Sequence, residues 1–393
     1  MATFFDFFSN NFAPLLGGRS YKEWESQSLK LQNVSIQNKK LAKEFEEECI
    51  KLDGLLTYSE YLKIDQFGEN GYHKTHSAHG FTSSYKLSAP SAFQYIQIHD
   101  IHTVFELGPG NGNFAIELCK IAREKKYILT WHGSEISSDF RIKITQRFHK
   151  ENLYNFLGSI IESPYNFPEI DKALIVSSYC MDSIPPEILT NTSSRINSPQ
   201  AFIGIDVKNN TITERILTPD QCKKKGISIS DSIITYKEQK YDTANIALAP
   251  FQRIYLTLGS FNLLASTVDK IKYPHILIVD EFRSMSNLYR TDHLLTPLTL
   301  YTKSRHHFVP QKSYMRAGKM LFYYPIYLSM IISVLQSVGI SNIEYGEEKF
   351  QLKKMLGESS IQQNSMGPCF AIFGSGKTKP KSIISLAPPQ TPT

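Results

Sequence analysis

The sequence predicts an α/β fold in which a mostly parallel sheet carries helices on both faces. Continuous apolar runs recur through residues 101–373, as they do in parallel strands that are buried on both sides. Segments with apolar residues at three- and four-residue spacing separate these runs, which is typical of amphipathic helices. A glycine-dense turn joins the first run to the first such segment, and this gives a strand–loop–helix pattern.

Seven strands are expected in the main sheet. They are predicted at residues 103–107, 129–136, 154–161, 173–179, 274–280, 341–345 and 369–373. Ahead of them, Thr57 and Glu60 have the spacing of a capping box, which predicts a helix that begins just after Thr57.

Residues 191–250 interrupt the alternation between the fourth and fifth strands. Residues 201–207 and 211–217 flank a Lys-Asn-Asn turn and predict a β-hairpin inside an inserted subdomain. The expected domains are a helical N-terminal extension with a polar loop (1–100), the first half of the sheet domain (101–190), the insertion (191–250), the second half (251–373) and a tail (374–393). The tail is rich in Lys, Ser and Pro and is predicted to be disordered.

The glycine-dense turn contains Gly108, Gly110 and Gly112. Glycine permits backbone angles that a side chain forbids, and it lets a ligand lie against the main chain. The helix that begins near Asn113 directs unpaired N–H groups at this turn, so a polar or charged ligand is expected there. A dinucleotide fingerprint would need a glycine at position 113, so the spacing does not fit that motif.

Glu106 stands two residues before the first glycine. A carboxylate in this place would repel a phosphate and attract a cationic group. This favours the amino-acid end of S-adenosylmethionine (SAM), which carries a positive charge, as the ligand. The alternative is a glycine-rich turn that binds nothing.

The second strand and the third supply further candidates for binding the nucleoside. An acidic residue at the end of the second strand of a doubly wound sheet binds ribose hydroxyls, and Glu135 holds that place. Ile136 is expected against the adenine ring, and Ser159 and Ile160 are expected near its edge. For Glu135, the alternative is an ordinary surface acid at a strand end.

Catalytic candidates lie beyond the carboxyl ends of the strands, where open α/β sheets bind ligands. Tyr179 and Asp182 follow the fourth strand, and Asp280 and Glu281 follow the fifth. Methyl transfer from a sulfonium depends mainly on alignment, and a base is needed only when the acceptor carries a proton. We therefore take Asp182 and Tyr179 as catalytic candidates, with a turn or cap role as the alternative for Asp182.

Two other motifs do not predict sites. His73, His76 and His79 recur every three residues, but the Gly, Ser and Thr around them predict a loop, so no metal is expected. The segment Gly-Ser-Gly-Lys-Thr at 374–378 suggests a phosphate-binding loop. That motif needs a glycine at position 371, where Ala371 stands.

Composition narrows the class of protein. The formal charge of +6 is spread along 393 residues, so no nucleic-acid partner is expected. Five cysteines without paired spacing favour a reducing compartment. The N-terminus lacks a secretory or transit pattern, so we expect the cytoplasm, with the mitochondrial matrix as the alternative in a eukaryote. Residues 320–340 carry no charge, and we expect a buried helix there and no membrane contact.

Several of these segments, taken in order, resemble the MidA-like SAM-dependent methyltransferases. The resemblance rests on the glycine loop at 105–110 and on segments at 57–61, 71–72, 181–185, 338–340 and 365–370. It implies a seven-stranded Rossmann-like class I methyltransferase sheet with S-adenosyl-L-methionine as cofactor. It also implies N-methylation of an arginine in a protein substrate, as in the mitochondrial members that serve assembly of respiratory complex I.

The departures from that family fall on the acceptor side. Gly80-Phe81 stands where the family has Gly-Asp-Phe, and Ser178-Tyr179 stands where it has Asn-Glu. Two alternatives therefore stay open. One is N- or O-methylation of a small molecule, and the other is an assembly factor that binds SAM without turnover.

Overall fold

The computed structural model of the protein describes residues 33–36, 38–52, 54–72, 85–164, 167–192, 200–244, 246, 253–283, 299–302, 305–308, 322–323, 326–357, 369–376 and 378–386. Its helices are α1 (Lys39–Lys51), α2 (Tyr58–Phe67), α3 (Tyr85–Ile98), α4 (Asn113–Glu124), α5 (Ser138–Lys150), α6 (Pro219–Lys224), α7 (Leu258–Asp269), α8 (Leu328–Ser337) and α9 (Glu348–Met355).

The strands of the described residues follow in chain order. They are β1 (Asn33–Ser35), β2 (Leu56–Thr57), β3 (Thr103–Leu107), β4 (Thr130–Ser134), β5 (Leu157–Ile161), β6 (Ile170–Ser178), β7 (Glu187–Asn191), β8 (Gln200–Lys208), β9 (Thr211–Ile216), β10 (Ile227–Ser230), β11 (Ile233–Tyr236), β12 (Gln239–Asp242), β13 (Arg253–Leu256), β14 (Ile271–Arg283), β15 (Thr299–Thr302), β16 (Arg305–Phe308), β17 (Phe322–Tyr323), β18 (Ile326–Tyr327), β19 (Asn342–Glu347), β20 (Cys369–Ser375) and β21 (Ile384–Ser385).

The central sheet has the strand order β19-β20-β14-β6-β3-β4-β5, and β18 pairs with the end of β14. The five strands from β14 to β5 are parallel. Strand β20 runs antiparallel to both of its neighbours, β14 and β19, so β19 has the direction of the five parallel strands. All seven predicted strands are present, and the predicted α/β class is confirmed. The third strand begins later than expected because residues 154–156 form a 3-10 turn.

Helices cover both faces of this sheet because neighbouring residues of each strand point to opposite sides. Val104 packs with residues of α3, α4 and α5, whereas Phe105 and Leu107 pack with residues of α7, α8 and the insertion. After β3 the chain runs outward through β4 and β5 and then returns to β6, on the other side of β3. The carboxyl end of β3 is therefore a topological switch point, where ligands bind in open α/β sheets.

Strands β8 and β9 of the insertion belong to a second, antiparallel sheet, together with strands that precede and follow the insertion in the chain. Its order is β1-β9-β8-β7-β13, with β2 paired to β8. The predicted hairpin is confirmed as β8 and β9, and Asn209 and Asn210 at its turn both have positive φ. The predicted capping box is also present, because the side chains of Thr57 and Glu60 each accept the other's backbone N–H. The N-terminal extension contains the helices α1, α2 and α3, and it also contains β1 and β2, which pair with β9 and β8.

The apolar stretch at 320–340 contains the buried helix α8, which begins only at Leu328. Residues 322–323 and 326–327 are in strands, so the start of the predicted helix was wrong. Pairing of β18 with β14 accounts for this start, since it holds the chain extended up to Tyr327. Within the described residues, no helix combines the length and apolar character needed to cross a membrane.

Residues 374–376 and 378–386 of the tail belong to the folded structure, so the prediction of disorder from residue 374 was wrong for these residues. Strand β21 pairs in parallel with β12 of a small sheet ordered β10-β11-β12-β21. Ile384 and Leu386 are buried, and the Thr378 N–H donates to the carbonyl of Gly339 at 2.7 Å. The prediction of disorder was based on the average composition of the tail, in which the two buried apolar residues, Ile384 and Leu386, have little weight. Gly374 and Ser375 belong to β20, so no phosphate-binding loop forms there.

Candidate cofactor-binding site

The glycine turn lies at the carboxyl end of β3, at the switch point of the sheet. Gly108, Gly110 and Gly112 have φ values of 59°, 55° and 74°, in the left-handed region that favours glycine. A Cβ atom at Gly108 would lie 2.4 Å from the Sγ atom of Cys180, and one at Gly112 would lie 3.1 Å from Ile144. A Cβ atom at Gly110 would meet nothing within 4 Å. Two of the glycines are thus required by packing, and Gly110 faces open space.

Hydrogen bonds to β4 and α5 hold the glycine turn in place. The Gly108 N–H donates to the carbonyl of Ser134 on β4 at 2.8 Å. From α5, the Arg147 guanidinium donates to the carbonyl of Asn111 and, at 2.9 Å, to the Oδ1 atom of Asn113. Gly112 begins α4 without a side-chain cap, so the first N–H groups of that helix face the loop, as predicted.

Glu106 lies at the base of the loop and is only 2% exposed. The indole N–H of Trp131 on β4 donates to its Oε2 atom at 2.9 Å. Burial raises the pKa of Glu106 to about 8, although the Trp131 hydrogen bond lowers it and the nearby Glu135 raises it further. The predicted acid, Glu106, therefore lies at the glycine turn, but it is more deeply buried than the sequence indicated.

Glu135 follows β4 and is also buried. Its Oε2 atom accepts the N–H of Gly110 at 3.0 Å, and its Oε1 atom accepts the N–H of Ser137 at 2.9 Å. Burial raises its pKa, and these two hydrogen bonds together with the charge of Arg141 act in the opposite direction. The structure thus brings the predicted ribose acid into direct contact with the glycine turn.

Ile136 extends from the same segment, and 41% of it is exposed. Arg141 on α5 holds the segment by donating to the carbonyls of Glu135 and Ile136 at 2.7 and 2.9 Å. An exposed apolar side chain beside the ribose acid offers a surface against which a flat ring can lie.

Ser159 and Ile160 lie within β5, short of its carboxyl end. The hydroxyl of Ser159 is 2.9 Å from the Nδ1 atom of His132 on β4, and Ile160 packs against the cluster beneath α4 and α5. Glu162, just past the strand, is a further candidate for binding the nucleoside, and it was not predicted from the sequence. Its carboxylate lies 3.7 Å from the guanidinium of Arg141, which also donates to the carbonyls of Glu135 and Ile136.

Tyr179 follows β6 with φ of 51°, and its hydroxyl donates to the Oε2 atom of Glu348 on α9 at 2.8 Å. Burial and the charge of Glu348 raise the pKa of Tyr179 well above its ordinary value. A phenol held as a neutral donor is a poor proton acceptor, so this contact disfavours the role of a catalytic base for Tyr179. The partner is 169 positions away, and the local sequence gave no sign of it.

Asp182 lies in a 3-10 turn over residues 181–183 and is 3% exposed. The hydroxyl of Ser183 donates to its Oδ1 atom at 3.2 Å. Asp280, fully buried on β14, accepts the N–H of Met181 at 3.0 Å and so fixes this turn. Asp182 follows β6, as expected, whereas Asp280 lies within β14, which continues to Arg283. The carboxylate of Asp280 is engaged in holding the backbone of the turn.

Four carboxyl groups converge near the glycine turn. All four raise the pKa of the Cys180 thiol, which lies against Gly108. Its pKa is raised well above the ordinary value first by burial and then by a set of charges from four different segments: Asp280, Glu135, Asp182 and Glu106. A site with this concentration of acid attracts a cation and repels a phosphate.

The three spaced histidines at 73, 76 and 79 and the position of Gly80 lie outside the described residues. Among the residues that the structure does describe, no group of three or more His, Cys, Asp or Glu side chains is arranged to hold a metal ion.

No protein-family model matches the chain, and no curated protein matches it. Two solved structures, both from Burkholderia thailandensis, share its fold. One is a COG1565 superfamily member bound to S-adenosyl-homocysteine, for which methyl transfer is the expected activity. It has a TM-score of 0.62 and 12% identity, over 92% of this chain and 95% of that one. The other is a native COG1565 superfamily protein, with a TM-score of 0.60 and 13% identity over the same shares. At this identity the likeness concerns the fold, and this chain has the Rossmann-like fold of these class I methyltransferase structures.

Proposed function

We propose that this protein is a SAM-dependent methyltransferase whose cofactor lies across the glycine turn between Glu106 and Glu135. The observation that carries the proposal is the pairing of Gly110 with Glu135. The Cα of Gly110 faces open space, while its N–H is held at 3.0 Å by the acid expected to bind ribose. An open, ordered glycine beside a buried carboxylate is suited to a nucleoside that lies against the main chain.

The charge of the site supports SAM over a dinucleotide. SAM carries an ammonium and a sulfonium, whereas a dinucleotide carries a pyrophosphate. The carboxyl groups near Cys180 would stabilise the former and repel the latter. The COG1565 structure with S-adenosyl-homocysteine bound supports the same assignment, because that protein shares the fold over nearly its whole length.

The acceptor is proposed from the resemblance to the MidA-like family, which implies a protein arginine. A guanidinium would be oriented by an acidic rim through paired hydrogen bonds, and Asp182 is the candidate for that role. Its carboxyl group is largely buried beside the glycine turn, so a cationic or hydrogen-bond-donating nitrogen would compensate its charge.

A SAM-binding assembly factor without turnover is the second candidate. Tyr179 favours it, because this residue replaces an acid of the family and its hydroxyl is committed to Glu348. Methylation of a small molecule is the third possibility, and labelling distinguishes it from the first.

Cofactor binding is tested by calorimetry of the full chain with SAM, S-adenosyl-homocysteine and NAD. We expect binding of the first two and none of NAD. Glu135→Ala should abolish binding, because it removes the ribose acceptor and frees the Gly110 N–H. Glu124→Ala, on the exposed end of α4, is the matched control and should bind normally. Failure of the wild-type protein to bind SAM would end the proposal.

The acceptor is tested with labelled SAM in a lysate of the source cells. Label in a protein band, lost with Glu135→Ala, supports a protein substrate. Label confined to the small-molecule fraction supports the small-molecule alternative. SAM binding with no S-adenosyl-homocysteine formed above the no-enzyme control supports the assembly factor.

A further inference from the structure

Trp131 is a fully buried residue of β4 that makes a polar contact with the cofactor-binding site. Its indole N–H donates to the Oε2 atom of Glu106 at 2.9 Å. The ring stacks on Phe148 of α5, with centroids 5.2 Å apart and planes 28° apart. A Cβ atom at Gly133 would lie 2.6 Å from the ring, so the backbone presses against its edge. The position of the indole N–H is therefore fixed by packing.

The partner of this N–H is unusual. A buried tryptophan needs one acceptor, and a neutral backbone carbonyl would satisfy it at lower cost. Here the acceptor is a carboxyl group that is 2% exposed, and burying it as a carboxylate is costly unless something stabilises its charge. Trp131 donates to Oε2, so a ligand would pair with Oε1. A hydrogen bond from the indole to Glu106 is expected if the carboxylate must be held in one orientation. An indole that only fills the core does not require a carboxylate as its acceptor.

We propose that Trp131 is a positioning residue for cofactor binding: its indole N–H holds the Glu106 carboxylate at the base of the glycine turn, in the orientation that pairs with the ammonium of SAM. This inference rests on the proposed function, since it assumes that the site takes SAM. Trp131 itself does not touch the cofactor.

The groups around Glu106 give this proposal a pH signature. The titratable groups that face it are Glu135 beyond β4, Cys119 on α4 and Cys180 beyond β6. None of these supplies a positive charge, so the carboxylate depends on the indole and on the ligand. Because the pKa of Glu106 is raised to about 8, the group is mostly protonated near neutrality. An ammonium ligand binds the ionised form, so it must drive off a proton.

Trp131→Phe keeps the packing and removes the hydrogen bond. Loss of a hydrogen bond to a charged group raises the pKa of Glu106 further, and the ionised fraction falls. We expect SAM affinity to fall about tenfold near pH 7, as one pKa unit implies, and the deficit to shrink as pH rises above both pKa values. The amine of SAM titrates equally for both proteins, so the ratio of their affinities reports on Glu106.

The experiment measures affinity by calorimetry from about pH 6 to about pH 10. The ligands are SAM and 5′-methylthioadenosine, which has the nucleoside but no ammonium. Support requires that Trp131→Phe weakens SAM in the pH-dependent way described and leaves 5′-methylthioadenosine unchanged. Phe148→Leu is the matched packing control, because it disturbs the ring stack and keeps the indole N–H. It should leave the pH dependence of SAM affinity unchanged.

A pH-independent loss, or an equal loss for both ligands, would mean that Trp131 is only structural and would overturn the inference. If Trp131→Phe does not fold, Glu106→Gln decides. This variant keeps an acceptor for the indole and removes the charge, so its SAM deficit should grow with pH while 5′-methylthioadenosine binds normally. A deficit that does not change with pH would overturn the inference. If the wild-type protein binds neither ligand, the proposed function itself fails, and the inference fails with it.

Discussion

Alanine at positions 108 and 110 should separate what packing requires of the glycine turn from what a ligand requires. Both residues have φ near +57°, between 55° and 59°, so a side chain at either costs about 1–2 kcal/mol of left-handed strain. At position 108 the new Cβ would also lie 2.4 Å from the Sγ atom of Cys180. Overpacking of this kind costs about 1–3 kcal/mol more. We therefore expect a loss of about 2–5 kcal/mol for Gly108→Ala and about 1–2 kcal/mol for Gly110→Ala.

Chemical denaturation measures these losses as changes in the free energy of unfolding. Replacing Cys180 with Ala in the Gly108→Ala background should restore part of the stability, because it removes the closest atom. For ligand binding we expect the larger effect at position 110. Gly110→Val places its side chain in the open space and should lower SAM affinity by at least about tenfold in calorimetry. Gly357→Val is the matched control, since Gly357 also has positive φ and open surroundings.

Two results would refute this reasoning. Equal destabilisation by Gly108→Ala and Gly110→Ala would mean that Cys180 does not lie against the turn. Undiminished SAM affinity in Gly110→Val would mean that the open space above Gly110 is not where the cofactor lies.

Three further predictions concern the rest of the molecule. Cys180, whose pKa is raised by burial and nearby carboxyls, should resist alkylation near neutral pH in the folded protein, and mass spectrometry showing rapid modification would contradict this. Burial raises the pKa of Glu187 to about 7, above that of the unfolded chain, so its contribution to stability is present at acid pH and is lost as pH rises towards 7. Urea unfolding should accordingly show Glu187→Gln gaining relative to wild type between about pH 4.5 and 7, and a constant difference would refute the assignment. Ile384→Ser should lower the free energy of unfolding by about 2–4 kcal/mol because Ile384 is 1% exposed, and no change would mean that β21 is not docked.

The glycine turn and the main strands were predictable because their signals are local. Three glycines fall between an apolar run and a helical repeat, at positions 108, 110 and 112. Each has a positive φ, and this backbone requirement can be recognised without knowing any distant partner. The place of Glu135 follows from the same logic, since the acid closes the next strand along the chain. Buried parallel strands are legible in one sequence because their apolar runs are continuous.

The features that the sequence analysis did not foresee have a common physical cause, which is that the deciding partner is remote in sequence. The hydroxyl of Tyr179, a catalytic candidate from the sequence, donates to Glu348 on a helix beyond β19, and the local sequence does not indicate this contact. The order of the tail depends on an edge that β12 offers to β21. Strand starts also depend on the surrounding structure, and β5 begins at Leu157 rather than at residue 154 because residues 154–156 form a 3-10 turn.

The acidic character of the site is the clearest case of what topology adds. Glu106 ends β3, Glu135 follows β4, Asp182 follows β6 and Asp280 lies near the end of β14. Each acid by itself has an ordinary interpretation as a turn, cap or surface residue. Parallel pairing brings the carboxyl ends of these strands to one edge, so that four carboxyl groups from different segments all raise the pKa of the Cys180 thiol. Such an assembly is costly to keep in a buried place without a compensating cation. A cofactor that brings both an ammonium and a sulfonium supplies that compensation, and this is why the electrostatics of the edge, more than the glycine pattern alone, favours SAM.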